Sequence, residues 1–159
     1  MKNTLRTIPL IVLSLMLSFT LSSFAPSAQS DDEGDALVGV WEPGNGRAKV
    51  KVSKIGDKYY GKIVWLLEPK NEKGEAKTDV NNPDESMRST PLLGYRILKD
   101  FEYKGKKTWD NGTIYDPENG STYSCTIKMK DDNTLEVRGY IGVSAIGRTD
   151  TWTRLQKKK

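Results

Sequence analysis

The stretch RAKVKVSKIGDKYYGKIVWLL, residues 47–67, decides the fold class. Its first part, Arg47 to Lys54, alternates strictly, as a strand with one buried face does. Gly56 and Asp57 supply a turn, and Tyr59 to Leu67 follows as a second, strongly apolar strand. The alternation predicts two faces, with Ala48, Val50 and Val52 on one and Lys49, Lys51 and Ser53 on the other. The stretch therefore indicates an antiparallel hairpin.

The same pattern recurs on both sides of this hairpin. Six further runs with strand character are closed by turn residues, and they are Val38–Glu42, Leu93–Phe101, Thr108–Tyr115, Ser121–Lys130, Thr134–Ile141 and Arg148–Leu155. No helical period extends over ten residues after residue 31. We therefore predict an all-β fold with eight antiparallel strands in an up-and-down barrel, because closure removes both exposed edges. A two-sheet sandwich is the alternative architecture.

The first thirty residues have the order of features that signal peptidase recognises. Lys2 and Arg6 form a positive region, an apolar run extends to Phe24, and small residues follow between Ala25 and Ala28. The rival interpretation is a retained membrane anchor, but polar residues and a proline interrupt the apolar run. We predict a signal peptide over residues 1–28 with an N-terminal signal helix, and export to the periplasm or the medium. Contact with the membrane is then expected only through the transient signal peptide.

The rest of the chain has the length of one domain. We predict an acidic linker at residues 29–36, a single β-barrel domain at 37–156 and a basic tail at 157–159. Removal of the signal lowers the net charge from +4 to about +2, and lysines alternate with acids throughout. No basic stripe interleaved with aromatics is present, so nucleic acid is not an expected partner. The single cysteine, Cys125, reads as a small buried side chain, and no internal disulfide can form.

The absence of histidine restricts the chemistry that this chain can perform. Imidazole bases and nucleophile–histidine pairs are excluded, and one cysteine cannot build a zinc or copper site. We therefore expect no cofactor, assign no catalytic or metal-binding residue and favour a protein that is not an enzyme. A site that binds a hard cation such as calcium through oxygen atoms is still compatible with the sequence. Its ligands would be Asp79, Asn81, Asp84 and Glu85, which lie together in the polar excursion from Glu68 to Pro91. A solvated lid shaped by turns is the simpler interpretation, since the EF-hand spacing is missing.

Ten aromatic residues fall within the predicted strands, and those that point inward would line a cavity or fill a core. We expect a small apolar or amphipathic ligand at the barrel mouth, gated by the excursion. The candidate ligand contacts are Trp65, Tyr95, Trp109 and Tyr123, with Arg96 and Arg138 as anchors for an acidic group. One alternative is a filled-core module that binds a protein partner in the cell envelope. The other is a carboxylate-based glycan hydrolase that uses Asp79, Asp84, Asp110 or Asp116.

The motif Gly39-Val40-Trp41 at the first strand and the arginines Arg148 and Arg154 in the last resemble the calycin arrangement of lipocalins. That resemblance implies that Gly39, Trp41, Arg148 and Arg154 close the barrel, with an arginine laid over the tryptophan ring. It makes the predicted barrel lipocalin-like.

A series of motifs over nearly the whole mature chain resembles the exported bacterial family called domain of unknown function 2147. This resemblance implies export and a small β-barrel, and it brings no activity, substrate or catalytic residue. The motifs are Gly39-Val40-Trp41, the strand from Tyr60 to Trp65, Asn82-Pro83-Asp84, Pro91-Leu92-Leu93-Gly94, the segment from Trp109 to Pro117, Tyr123-Ser124-Cys125 and the ending from Gly139 to Arg154.

Overall fold

Eight antiparallel strands close into one barrel in the computed structural model, which describes residues 33–156. Each strand pairs with the next, and the last pairs with the first through Trp41 and Arg154. The predicted up-and-down barrel is therefore confirmed. In chain order the strands are β1 (Gly39–Glu42), β2 (Ala48–Ile55), β3 (Lys58–Leu66), β4 (Arg96–Tyr103), β5 (Thr108–Asp116), β6 (Ser121–Asp131), β7 (Thr134–Tyr140) and β8 (Gly147–Arg154).

The predictions for residues 1–28, for the first part of the linker and for the tail at 157–159 concern residues outside the described range. The predicted signal helix also falls in that part of the chain. No helix within residues 33–156 is long and apolar enough to cross a membrane.

Alternation of side chains explains why these segments form strands. In β2, Val50 and Val52 are buried inside the barrel, whereas Lys51 between them is exposed. In β6, Cys125 and Ile127 are buried in the same way. A strand with a period of two can place every apolar side chain in the core and every lysine in water.

The start of β4 differs from the sequence prediction by three residues. We expected this strand to begin at Leu93, but Leu92 to Tyr95 forms a turn closed by a 3.0 Å backbone hydrogen bond. Gly94 has a φ of +92°, a conformation that favours glycine, and its amide donates to the Ile63 carbonyl. The chain completes this turn before it joins the sheet at Arg96.

One end of the barrel is closed by a 3-10 helix, Glu33–Leu37, which precedes β1. The buried indole of Trp41 donates a 2.9 Å hydrogen bond to the Leu37 carbonyl, and Trp109 donates one of 3.1 Å to the Gly34 carbonyl. Buried indole N–H groups need acceptors, and this helix supplies both. Residues 33–36, which we assigned to a linker, therefore belong to the folded domain.

The half of the barrel next to this helix is filled with side chains. Tyr59, Phe101 and Trp109 are almost completely buried there, and the Tyr59 ring meets that of Trp109 edge to face. Cys125 is also buried, and burial raises the pKa of its thiol to about 12. This half of the barrel is a packed core.

Candidate functional site

The opposite end of the barrel holds a cavity with a volume of about 1440 Å³. It lies where β1, β3, β5 and β7 end, and the excursion between β3 and β4 contributes Thr78, Val80 and Asn81 to its lining. Pockets that enclose drug-sized ligands have volumes of roughly 300–1000 Å³. The cavity therefore has room for a small ligand or for one end of a longer molecule.

The inner wall of this cavity is apolar. Alternate residues of neighbouring strands point into it, as in any barrel whose strands bury one face. The main apolar lining residues are Ile63, Leu66, Ile97, Ile114, Val137 and Trp152.

The rim of the cavity is polar, and most of its charges are paired. Arg47 forms a 2.5 Å ion pair with Glu118, and Lys77 forms a 2.8 Å pair with Glu68. The first pair joins the β1–β2 turn to the β5–β6 turn. The second joins two residues within the excursion, Lys77 and Glu68. They are exposed, so each contributes little to the free energy of folding.

A third rim carboxylate, that of Asp150, is held by N–H donors. It accepts a 2.9 Å hydrogen bond from the Trp152 indole and a 3.3 Å bond from the Gly44 amide. The Asp150 carboxylate is thereby fixed between β8 and the β1–β2 turn.

A buried carboxylate fixes the excursion to the barrel. Asp79 is 0% exposed, and it accepts hydrogen bonds from the Tyr115 hydroxyl at 2.8 Å and from the Asn82 amide at 2.6 Å. The same Asn82 amide donates a 3.1 Å bond to the Tyr95 hydroxyl. A buried charge needs such donors, so Asp79 holds the excursion in one position over the strands.

A second attachment joins the excursion to the β5–β6 turn. The Asn81 amide donates to the carbonyls of Pro117 and Glu118 at 3.1 and 3.0 Å. Gly120 in this turn has a φ of +71°, and a Cβ there would overlap the Asn81 carbonyl. The excursion is thus a fixed wall of the mouth in this structure.

The hydroxyl groups beneath the excursion are neutral donors at neutral pH. Burial, followed by the hydrogen bond to Asp79, raises the pKa of Tyr115 well above its usual value. Burial, followed by the nearby Asp79 charge, raises the pKa of Tyr95 in the same direction. Both tyrosines therefore keep their protons beside the carboxylate.

Comparison with known proteins identifies the family. The sequence profile described as "Uncharacterized protein conserved in bacteria (DUF2147)" matches residues 39–154, which span all eight strands. The chain belongs to this family. No curated protein sequence matches this DUF2147 chain significantly.

A solved structure similar to the DUF2147 barrel is that of protein HP1028 from Helicobacter pylori, described as belonging to the lipocalin family. The similarity has a TM-score of 0.68 and a sequence identity of 23%, and it covers 76% of this chain and 84% of that one. At this identity the similarity shows the fold alone, which is a lipocalin-like barrel.

A β-bulge places Trp65 on the outer surface of the DUF2147 barrel. Val50 pairs with Ile63 but Lys49 pairs with Trp65, so Val64 is an extra residue in β3. The Trp65 ring lies beneath the Lys49 ammonium group, 4.5 Å from nitrogen to ring centroid. The sequence-based placement of Trp65 in the cavity is corrected by this bulge.

The two arginines expected to anchor an acidic group both point outward. The Arg96 guanidinium lies 4.8 Å from the centroid of the Tyr60 ring. Arg138 donates hydrogen bonds to the Ser144 carbonyl at 2.8 Å and the Thr149 hydroxyl at 2.9 Å, which hold the β7–β8 loop. Neither arginine lines the cavity. Each is next to an inward-facing residue in its strand, and successive side chains of a strand point to opposite faces.

The other aromatic candidates fall in three different places. Tyr123 lines the cavity, and its hydroxyl accepts a 2.9 Å hydrogen bond from Asn119. Tyr95 supports the excursion through Asn82, as described above. Trp109 is buried at the closed end. Of the ligand contacts proposed from the sequence, the structure brings only Tyr123 to the cavity.

Three of the four residues assigned to barrel closure meet at the closed end. The Arg154 guanidinium lies 4.1 Å from the centroid of the Trp41 ring and donates a 3.1 Å hydrogen bond to the Val38 carbonyl. A Cβ at Gly39 would lie 2.6 Å from an Arg154 nitrogen, so glycine makes this approach possible. Arg148, the fourth residue, lies at the other end, where it lines the cavity.

The acidic residues considered as hydrolase or calcium candidates do not converge. Asp79 is buried, Asp84 caps a short 3-10 helix (Glu85–Met87), Asp110 accepts from Thr126 on the outer surface and Asp116 alone lines the cavity. These four acids therefore do not supply the facing pair that glycoside hydrolysis requires. Within residues 33–156, no group of three or more Cys, Asp or Glu side chains could hold a metal ion.

Two residues that shape the site were not recognised in these roles from the sequence. Arg148 was assigned to the closed end, although its even spacing from the inward Trp152 could have placed it in the cavity. Asp79 was considered only as a ligand or acid, and no local signal marks a carboxylate that will be buried by an excursion.

Proposed function

We propose that this barrel binds a small, partly apolar ligand in the cavity at its open end. The observation that carries the proposal is a space of about 1440 Å³ with an apolar wall and a polar rim, above a solid core. Eight-stranded barrels have interiors wide enough for one small ligand, as in lipocalins. An apolar portion of the ligand would lie against Ile97, Ile114 and Val137, and its polar portion would face the rim.

A neutral naphthylamine dye whose fluorescence rises in apolar surroundings tests this proposal. We expect saturable binding with one site per chain. Gly139 lines the cavity, and a Cβ there would make only ordinary contacts, 3.5 Å from Ile114 and 3.6 Å from Tyr123. Gly139→Leu should therefore place a side chain in the cavity beside Ile114 without displacing the backbone, and it should weaken dye binding at least 10-fold.

Ser124→Leu is the matched control, because Ser124 is exposed on the outer face of the neighbouring strand β6. It adds the same side chain outside the barrel and should leave dye binding unchanged. Unsaturable binding, or equal binding by both variants, would contradict the proposal.

A filled-core module with an envelope protein partner is the second candidate. The β7–β8 loop supports it, because Ile141, Val143 and Ile146 are exposed there. Native mass spectrometry of the protein isolated from its own cells separates the two candidates. A mass excess of a few hundred daltons supports the ligand, and a copurified protein subunit supports the partner.

We also propose that the chain is exported after removal of residues 1–28. The charge, apolar run and small residues at the N-terminus support this proposal. N-terminal sequencing of the protein from separated cell fractions tests it. A mature N-terminus near Ala28 in the periplasm or medium is expected, and an intact Met1 in the cytoplasm would contradict export.

A further inference from the structure

Three cationic side chains line the cavity, and one of them differs from the others. Arg47 and Lys77 each form an ion pair with a glutamate. The side chain of Arg148, by contrast, forms no hydrogen bond or ion pair within the described part of the chain. Its guanidinium is therefore a charge at the mouth whose donors are unused by the protein.

The position of Arg148 directs it toward the cavity. It shares a strand face with Asp150 and the buried Trp152, since alternate residues of β8 point the same way. Its partner across the sheet is Gly139, which has no side chain. The inner face beside Arg148 is thus left open.

The acids near Arg148 are occupied by other donors. Asp150 accepts hydrogen bonds from the Trp152 indole and the Gly44 amide. Asp116 accepts a 2.9 Å hydrogen bond from the Glu118 amide within its own turn. Neither carboxylate forms an ion pair with Arg148 in this structure.

Apolar side chains line the cavity together with this charge. Ile141 and Ile146, on the loop that leads into β8, also line the cavity and are 72% and 71% exposed. Below them lie Ile114 and Val137 of the inner wall. A ligand bound here would meet one unpaired cation and these apolar side chains.

We propose that Arg148 binds the acidic head group of a single-chain amphiphile whose apolar chain occupies the cavity. This inference rests on the proposed ligand-binding function and names the class of ligand. A guanidinium can hold a carboxylate or a phosphate through paired hydrogen bonds, and such charge-assisted bonds are stronger than neutral ones.

Three ligands with the same chain test the inference, namely dodecanoate, dodecyl phosphate and dodecanol. The anions are titrated calorimetrically below their micelle concentrations, and the alcohol is titrated below its solubility limit. We expect the wild-type protein to bind the anions at least 10-fold more tightly than the alcohol. Arg148→Gln should remove this preference and leave dodecanol binding unchanged, and Arg148→Lys should retain part of it. The anion that binds more tightly identifies the head group.

Arg96→Gln is the matched control, because Arg96 is an exposed arginine on the outer surface. It should keep the full preference for anions. A preference that survives Arg148→Gln, or a wild-type protein that binds the anions and the alcohol equally, would overturn the inference while the proposed function stands. Failure of all three ligands and of the naphthylamine dye to bind would instead overturn the proposed function.

Discussion

The Tyr115 hydroxyl donates a 2.8 Å hydrogen bond to Asp79, a carboxylate that is fully buried and lies 36 residues earlier in the chain. Tyr115 belongs to strand β5, whereas Asp79 belongs to the excursion that forms one side of the mouth. The bond therefore joins a rigid element to a segment with little regular structure. The shape of the mouth depends on it.

Tyr115→Phe should reduce the free energy of unfolding by about 1–3 kcal/mol, because a buried carboxylate loses one of its donors. Urea denaturation followed by circular dichroism measures this change. Tyr123→Phe is the control, since it removes a hydroxyl whose hydrogen bond is exposed. Equal losses of unfolding free energy in the two variants would show that the bond to buried Asp79 stabilises the fold no more than an exposed hydrogen bond does.

Gly120→Ala should detach the excursion from the β5–β6 turn. Gly120 and Gly142 have φ values of +71° and +72°, but a Cβ at Gly142 would meet no atom within 4 Å. Gly142→Ala therefore carries only the backbone strain of about 1–2 kcal/mol, and Gly120→Ala adds the clash with Asn81. Hydrogen exchange over residues 78–91 should accelerate at least 10-fold in Gly120→Ala alone. Matching exchange rates in the two variants would contradict this attachment.

Arg154→Lys should lower stability by roughly 2 kcal/mol or more, because lysine cannot stack on Trp41 and donate to several carbonyls at once. Arg154 donates to the carbonyls of Asp132, Val38 and Ala36. Thermal denaturation measures the loss. Arg148→Lys, in the same strand, should leave the melting temperature unchanged, and a similar loss there would argue against a special role for Arg154.

Stability should decline in alkali between pH 10 and about 12 because of Tyr59. Burial, followed by its hydrogen bond to Asp35, raises the pKa of Tyr59 from 10.0 to about 12. The unfolded chain loses this proton at a lower pH than the folded protein does, so the contribution is complete below pH 10 and is lost as pH rises toward 12. The free energy of unfolding should fall less steeply with pH across this range in Tyr59→Phe than in the wild type. The same slope in both proteins would contradict the assignment.

Cys125 should not react with a thiol reagent at pH 8 while the protein is folded. Its side chain is buried and burial raises its pKa to about 12, so the nucleophilic thiolate is scarce. Labelling should become complete in 6 M guanidinium chloride. Rapid labelling of the native protein would show that β6 opens readily.

Strand positions were predictable because their period needs no knowledge of distant residues. Val50, Val52 and Cys125 are buried as the alternation indicates. Trp65 is the exception, because the extra residue Val64 in β3, opposite Lys49 and Val50, reverses the face of the residue that follows it. Bulges depend on the pairing of two strands, and a single strand's sequence does not record them.

The candidate site was less predictable than the fold for the same physical reason. Arg138 and Arg148 both lie near the mouth, but Arg148 points into the cavity whereas Arg138 points outward and binds the β7–β8 loop. The burial of Asp79 depends on an excursion without periodicity that folds back over β5. Long-range contacts of this kind leave no local pattern in the chain.

The contact between Val38 and Arg154 spans 116 residues, so it sets when the barrel can fold. A nascent chain cannot join its first strand to its last until the whole domain has been synthesised. The packed end, which needs both strands and the preceding 3-10 helix, cannot be completed before that point.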